Sequence, residues 1–103
     1  MKIKPGVDVS KLSPQGLLIL VVAQQLRPSV RVTSGNDGKH MPTSKHYVGD
    51  AVDLGSKEFD RDDNEEFCRA LRGNLGADFD VIYEKVGTPD EHIHVEYDRK
   101  AGR

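Results

Sequence analysis

The sequence has a single cysteine, no tryptophan and no long hydrophobic run. With only Cys68, the chain can form no internal disulfide and no thiolate-only metal site, so a metal would need His and carboxylate ligands. We interpret Cys68 as an ordinary packing residue. The longest apolar run, residues 17–23, is far shorter than the roughly 20 residues of a membrane-spanning helix.

An excess of positive charge is also lacking. Fifteen Lys and Arg against seventeen Asp and Glu give a formal net charge of -2, which does not build the broad basic face that binds nucleic acid or an anionic membrane. We therefore expect no nucleic-acid and no membrane partner. We also expect the chain to be a monomer. Residues 1–6 are not followed by the apolar segment of a signal peptide, so we expect no export signal.

The length of 103 residues fits one domain. The residues before Ser13 are predicted to be irregular. The first predicted helix has Ser13 as its N-cap and Pro14 at its first position, and it ends before Pro28. Apolar residues occupy nearly all of its sides, which predicts a buried helix. A second helix follows an acidic segment, in which Asp63 and Glu66 have the spacing of a capping box.

Four segments have the composition and alternation of strands, namely residues 30–33, 51–54, 79–83 and 92–97. The last two are joined by turn-forming residues and predict a hairpin. The expected fold is therefore α+β, with a small, mostly antiparallel sheet and helices on one side of it.

All four histidines lie in two places along the chain. Residues 34–49 form a long predicted loop with almost nothing to bury, and His40 and His46 lie within it. A loop of this length in so small a domain usually carries function. The other two histidines, His92 and His94, lie on the last predicted strand.

The two-residue repeat of a strand places His92, His94 and Glu96 on one face, while apolar residues occupy the other. Asp53 similarly lies on the polar side of its own predicted strand. Two imidazoles and one carboxylate on separate elements leave one tetrahedral position of Zn²⁺ open, as in catalytic zinc sites.

Zinc in such a site lowers the pKa of a bound water towards about 7, and hydrolysis also needs a nearby base. Glu84 and Glu91, which flank the predicted turn, are the candidates. The residues alone also allow a plainer interpretation, in which these are surface histidines beside a capped helix.

Two motifs bear a likeness to a known family. The segment from Ser44 to Asp53, with His46, Gly49 and Ala51 between them, resembles the SxHxxGxAxD signature of the M15 zinc peptidases. The segment around His92-Ile93-His94 is similar to the HxH strand of the same group. This family comprises D-alanyl-D-alanine carboxypeptidases and phage endolysin peptidases, and the hedgehog signalling domain shares its fold. The likeness covers roughly residues 30 to 98.

The resemblance implies that His46, Asp53 and His94 bind zinc, and that the fold is hedgehog-like. It leaves the base open. In the hedgehog-like branch a glutamate ends the strand before the HxH strand, which matches Glu84. In other branches the acid lies three residues before the last ligand, which matches Glu91.

Three further residues match positions near the site in relatives. His92 would donate a hydrogen bond to the oxyanion of the transition state, or would be a partly exposed strand histidine. His40 would support a ligand or face the substrate, or would be held by loop backbone. Ser44 would contact the substrate, or would stabilise a turn.

The sequence also departs from the family. Many members bind the terminal carboxylate of the substrate with an arginine soon after the Ser-Gly pair, but here Asn36 and Asp37 follow Gly35. Lys39 or Lys45 would replace that arginine, with a less rigid geometry.

The function we expect is hydrolysis of peptidoglycan stem peptides by a zinc metallopeptidase, of D-Ala-D-Ala carboxypeptidase or L-Ala-D-Glu endopeptidase type. The chain would be made in the cytoplasm and act on the cell wall, as phage-type enzymes do. The alternatives are a non-catalytic, hedgehog-like zinc module that binds a peptide or protein, and a phage virion component.

Overall fold

The structure is a computed structural model that describes residues 1–35 and 48–100. Two helices and five strands follow one another as β1 (Lys2–Ile3), α1 (Pro14–Leu26), β2 (Arg31–Ser34), β3 (Ala51–Gly55), α2 (Arg61–Leu75), β4 (Phe79–Glu84) and β5 (His92–Tyr97). This set of helices and strands confirms the predicted α+β class. Both predicted helices and all four predicted strands are present.

The five strands form one sheet in the order β1-β2-β3-β5-β4. Only the β1–β2 pair is parallel, so the sheet is mostly antiparallel, as predicted. The strand β1 was not predicted, because two residues are too short for any periodic pattern. Backbone hydrogen bonds at its two ends hold it, from Lys2 N to Val30 O at 2.8 Å and from Lys4 N to Val32 O at 3.0 Å.

Both helices pack against each other and against the same face of the sheet, which is the predicted layering. The core between them consists of aliphatic residues, Phe67 and Cys68, the last of which is a buried free thiol. Its largest fully buried members are Ile19, Leu54, Leu71 and Ile93. In the described part of the chain, no helix has the length and apolar character needed to cross a bilayer.

The expectation that α1 is buried on all sides is wrong. Ile19 and Ala23 are fully buried against the sheet and α2, but Leu17 is 50% exposed and Val21 is 54% exposed. The sequence of α1 is apolar on both sides, whereas the sheet and α2 cover only one of them. Periodicity shows which side chains can be buried, and the packing partners decide which of them are.

Helix α2 also begins about one turn earlier than the sequence indicated, with its N-cap at Asp60 and not at Asp63. The N-cap is Asp60, whose side chain accepts a hydrogen bond from Asp63 N at 2.8 Å. Asp63 therefore lies within the first turn, where its negative charge interacts favourably with the positive end of the helix dipole. Several acids in a row offer alternative caps, and the sequence pattern did not distinguish between them.

A buried polar network joins the two helices. Arg27, at the C-cap of α1, is 7% exposed and donates from Nη1 to Asn64 Oδ1 at 2.9 Å. Its guanidinium carbon lies 3.7 Å from the ring centre of Phe59 and 4.1 Å from that of Phe67. Hydrogen bonds and aromatic faces surround the guanidinium and offset the free-energy cost of removing its charge from water.

The same network reaches the turn between β4 and β5. Asn64 Nδ2 lies 3.1 Å from the hydroxyl of Tyr83, which donates to Glu91 Oε2 at 3.0 Å. Ser56 Oγ donates to the same oxygen at 2.6 Å, and Gly87 N donates to Glu91 Oε1 at 2.9 Å. The network therefore fixes the turn that precedes the histidine strand.

Asn64→Ala is expected to lower the free energy of unfolding by about 2 to 4 kcal/mol, because it removes the acceptor of Arg27 Nη1 and the amide donor to Ser56 O, Phe59 O and the Tyr83 hydroxyl. Urea denaturation measures this loss. Asn74→Ala is the matched control, because Asn74 lies in the same helix but is exposed and its side chain donates to Ala70 O. It should be neutral or slightly stabilising, since Ala is the better helix former. Equal effects of the two substitutions would contradict the structural importance of the network.

Candidate functional site

The face of the sheet turned away from the helices carries the predicted site and is named the polar face. The β3–β5 register places Asp53 opposite His94. The β4–β5 register places Glu84 opposite His92, one row further along the sheet. Glu96 follows His94 on the same face. These side chains converge because every second residue of each strand points away from the core.

The centre of the polar face is a hydrogen-bonded triad of Asp53, His94 and Glu96. His94 Nδ1 lies 2.8 Å from Asp53 Oδ1, and His94 Nε2 lies 2.7 Å from Glu96 Oε1. The side chain of His94 is 15% exposed, and those of Asp53 and Glu96 are 18% and 21% exposed. Both imidazole nitrogens therefore face a carboxylate in a partly buried setting.

This setting controls the protonation of His94. Burial lowers its pKa, but the hydrogen bonds and charges of Asp53 and Glu96 outweigh burial and raise the pKa to about 9. Near neutral pH and without a metal, His94 is accordingly an imidazolium that donates to both carboxylates. A metal ion that binds His94 must displace this proton.

A second pair, His92 and Glu84, lies beside the triad. His92 Nε2 is 4.0 Å from Asp53 Oδ1 and 3.8 Å from Glu84 Oε2, while its Nδ1 lies 2.7 Å from Asp90 O. A carbonyl only accepts, so Nδ1 carries a proton. His92 can then donate from Nε2 only in its charged form. The side chain of Glu84 is 35% exposed to solvent.

Glu91 has a different environment from Glu84. Its two carboxylate oxygens accept hydrogen bonds from Gly87 N, Ser56 Oγ and the Tyr83 hydroxyl, at the partly exposed end of the network described above. The Gly87 amide and, next, the Ser56 hydroxyl hold the pKa of Glu91 below its usual range. A carboxylate stabilised in this way is a weak base, and its oxygens are already engaged.

The donor set of the triad fits zinc in its chemistry. Donors bound to tetrahedral zinc at about 2.0 to 2.1 Å lie roughly 3.3 Å apart, so a modest widening of the Asp53–His94 contact would admit the ion. Glu96 on Nε2 matches the carboxylate that commonly orients a metal-binding imidazole. The third ligand expected from the sequence, His46, lies outside the described residues.

The acidic group of Asp80, Glu96 and Asp98 is the one metal-type cluster found within residues 1–35 and 48–100. Lys100 already neutralises part of it, since its Nζ lies 2.8 Å from Asp80 Oδ1 and 3.5 Å from Asp98 Oδ2. This cluster shares Glu96 with the triad. We interpret it as an ion-pair group at the end of the sheet.

The structure thus brings together Asp53, His94, His92 and Glu84. Glu91 lines the same pocket as Asp53 and His92, but its oxygens are engaged by three hydrogen bonds. The remaining predicted site residues, His40, Ser44 and His46, lie outside the described residues, as do Lys39 and Lys45.

One member of the site had no predicted role. The alternation of residues 92–97 placed Glu96 on the same face as His94, but its hydrogen bond to Nε2 depends on side-chain rotamers, which a sequence pattern does not specify.

Comparison of the sequence with protein-family models and with curated proteins finds no match. The resemblance to zinc peptidases therefore rests on the two motifs themselves.

Without metal, the stability that His94 contributes should depend on pH. Its folded pKa of about 9 exceeds the ordinary value of 6.5, so its stabilisation is full below about pH 6.5 and is lost as the pH rises through 9. The upper limit of this loss is on the order of 3 kcal/mol. Urea unfolding with a chelator, from pH 6 to 10, should show the difference between wild type and His94→Gln shrinking as the pH rises. A constant difference would show that the folded protein does not hold this proton.

Proposed function

We propose that the protein is a zinc metallopeptidase of the M15 type that hydrolyses peptide bonds in peptidoglycan stem peptides. The observation that carries this proposal is the cross-strand contact of Asp53 and His94, oriented by Glu96 and flanked by Glu84 and His92. This grouping supplies ligands, a base and a hydrogen-bond donor on one face, which is the set that hydrolysis of an amide requires.

His46, Asp53 and His94 would hold the metal. Zn²⁺ in such a site polarises a substrate carbonyl and lowers the pKa of a water towards about 7. Glu96 would accept a hydrogen bond from the Nε2–H of His94, so that the unprotonated Nδ1 binds the ion. The same bond fixes the orientation of the ring.

Glu84 is the proposed base. Its carboxylate is partly exposed on the polar face beside His92, where it can take a proton from the attacking water and pass it to the leaving amine. Glu91 is less suited to this role, because three donors already bind its oxygens. His92, whose Nε2 lies 3.8 Å from Glu84 Oε2, is placed to donate a hydrogen bond to the negative oxygen of the transition state.

One zinc ion per chain should bind through His46, Asp53 and His94. Addition of zinc should raise the melting temperature of the wild type, because a ligand that binds only the folded state stabilises it. His46→Ala and His94→Ala should abolish both the bound metal and this rise. Metal analysis after zinc supplementation, together with thermal unfolding, measures both quantities.

Asp50→Asn is the control for that experiment. The backbone carbonyl of Asp50 accepts a hydrogen bond from Tyr97 N, and the substitution preserves it, so this variant should keep its zinc. A wild-type protein that stays metal-free and shows no change in melting temperature would exclude the zinc site.

Glu84→Gln should retain zinc and stability but lose on the order of 10²-fold or more in turnover, the effect of removing a positioned general base. Release of peptides from cell-wall fragments measures turnover. Glu91→Gln serves as the comparison, and it should reduce stability, because an amide cannot accept all three hydrogen bonds.

The two variants separate the possible outcomes. Equal turnover in Glu84→Gln and wild type would reject Glu84, and loss of turnover with full stability in Glu91→Gln would move the role to Glu91. A zinc-loaded wild type that binds stem peptides but releases nothing would identify a binding module in place of an enzyme.

A further inference from the structure

The strand β4 is one edge of the sheet, because the strand order ends with it. Its register with β5 is regular over all six of its residues, from Phe79 to Glu84. Within residues 1–35 and 48–100, no strand pairs with its outer side. Such an edge offers backbone N–H and C=O groups to which a further strand can bind. The strand at the other edge, β1, has only two residues and offers far fewer.

The direction of the backbone groups in β4 follows from a hydrogen bond next to the strand. Asp98 N donates to Asp78 O at 2.7 Å, so Asp78 bonds towards the β5 side. Alternate residues of an antiparallel strand bond to opposite sides. Ile82, four positions after Asp78, therefore also bonds towards β5. Val81 and Tyr83, in contrast, direct their N–H groups to the open side.

A groove of about 480 Å³, named the edge groove, lies between β4 and helix α2. On its helix side it is lined by three arginines and, among the described residues, a single acid, namely Arg61, Arg69, Arg72 and Glu65. Arg72 Nη2 donates to Val81 O at 2.8 Å, which places this row of side chains alongside the strand. The row is roughly 16 Å long, the length of about five residues of extended chain.

Little of this positive charge is neutralised within the groove. Arg61 Nε lies 3.9 Å from Glu65 Oε1, and both side chains are at least half exposed, so this ion pair contributes little. Arg69 is exposed, and Arg72 uses Nη2 for its bond to the strand. The edge groove therefore presents an excess of positive charge, although the whole chain has a net charge of -2.

The other side of β4 sets a different requirement for a ligand. Ile82 lies opposite His94 on the polar face and is 45% exposed. Glu84 follows it on the same face. A strand added at the edge would place every second side chain there. An apolar, β-branched residue would pack on Ile82, whereas a carboxylate would be repelled by Glu84.

A second copy of this chain is a poor occupant of the edge. Two β4 strands paired about a two-fold axis would place both α2 helices on the same side of a continuous sheet. The two rows of arginines would then lie close to each other, and like charges across such an interface are unfavourable. The charge of the groove therefore favours a ligand of opposite sign.

We propose that the edge groove binds an acidic peptide segment as an added strand of the sheet. The backbone of the segment pairs with Val81 and Tyr83. Its carboxylates, on alternate residues, face the three arginines, and its β-branched residues pack on Ile82. This interaction goes beyond the proposed function, because the edge groove lies on the helix side of the sheet and the zinc site on the polar face.

A short peptide of alternating Glu and Val, blocked at both ends, is the probe, and the same peptide with Lys in place of Glu is the comparison. An NMR titration of the full chain measures both dissociation constants. The Glu peptide should bind at least about tenfold tighter than the Lys peptide. In its saturated complex, the amide hydrogens of Val81 and Tyr83 should exchange with solvent about tenfold more slowly or less. That of Ile82, which faces β5, should keep its rate.

Charge reversal on the helix tests the source of the preference. Arg69→Glu should weaken binding of the Glu peptide by about tenfold, because an attraction is replaced by a repulsion. Lys2→Glu is the matched control, since it changes the net charge equally but lies on β1, at the opposite edge of the sheet. It should bind the peptide like the wild type. Both variants should release peptides from cell-wall fragments at the wild-type rate, because neither position belongs to the polar-face site.

Four results would overturn the inference. They are equal binding of the Glu and Lys peptides, no binding of either, equal affinity of Arg69→Glu and Lys2→Glu, and unchanged exchange at Val81 and Tyr83 in the complex. The last result would identify charge attraction without strand addition. A dimer in sedimentation that the peptide does not dissociate would identify a second copy as the occupant and would likewise reject the proposal. None of these results bears on peptide release, so the peptidase proposal is tested separately.

Discussion

The antiparallel register of β3 and β5 is the constraint on which the other features depend. Val52 opposite Val95 and Leu54 opposite Ile93 fill the core below the helices. The residues between them must then point to the opposite face of the sheet, where Asp53 contacts His94. A shift by one residue would place carboxylate and imidazole in the core and valines in solvent. The hydrophobic free energy that stabilises the fold therefore also maintains the contact that we propose as the metal centre.

The two glutamates at the β4–β5 turn show how the sheet gives two carboxylates different environments. Glu91 faces the buried network and is bound by Ser56, Tyr83 and Gly87. Glu84 faces the other side and stays partly exposed beside His92. Two residues of one type, seven positions apart, differ in environment because alternation gives them different neighbours. The lowered pKa of Glu91 and the accessibility of Glu84 follow from these neighbours.

Local patterns predicted those parts of the molecule that local physics determines. The Ser13 N-cap, both helices, and the alternation that aligns His92 with His94 were all visible in the sequence. What the sequence did not reveal depends on distant contacts. The exposure of Leu17 and Val21 depends on how far the sheet extends, and the engagement of Glu91 depends on Ser56, 35 residues away.

The hydrogen bonds to Glu91 have a consequence for how the molecule opens. Their donors come from the end of β3, from β4 and from the turn, and Tyr83 is in turn joined to Asn64 in α2. Unfolding of the turn alone would break the hydrogen bond between the Glu91 carboxylate and the hydroxyl of the buried Ser56, and both groups would lose a partner. The turn should therefore unfold with the first turns of α2 as one cooperative unit. Its amide hydrogens would then exchange with solvent as slowly as those of the helix, although the segment lies at the surface.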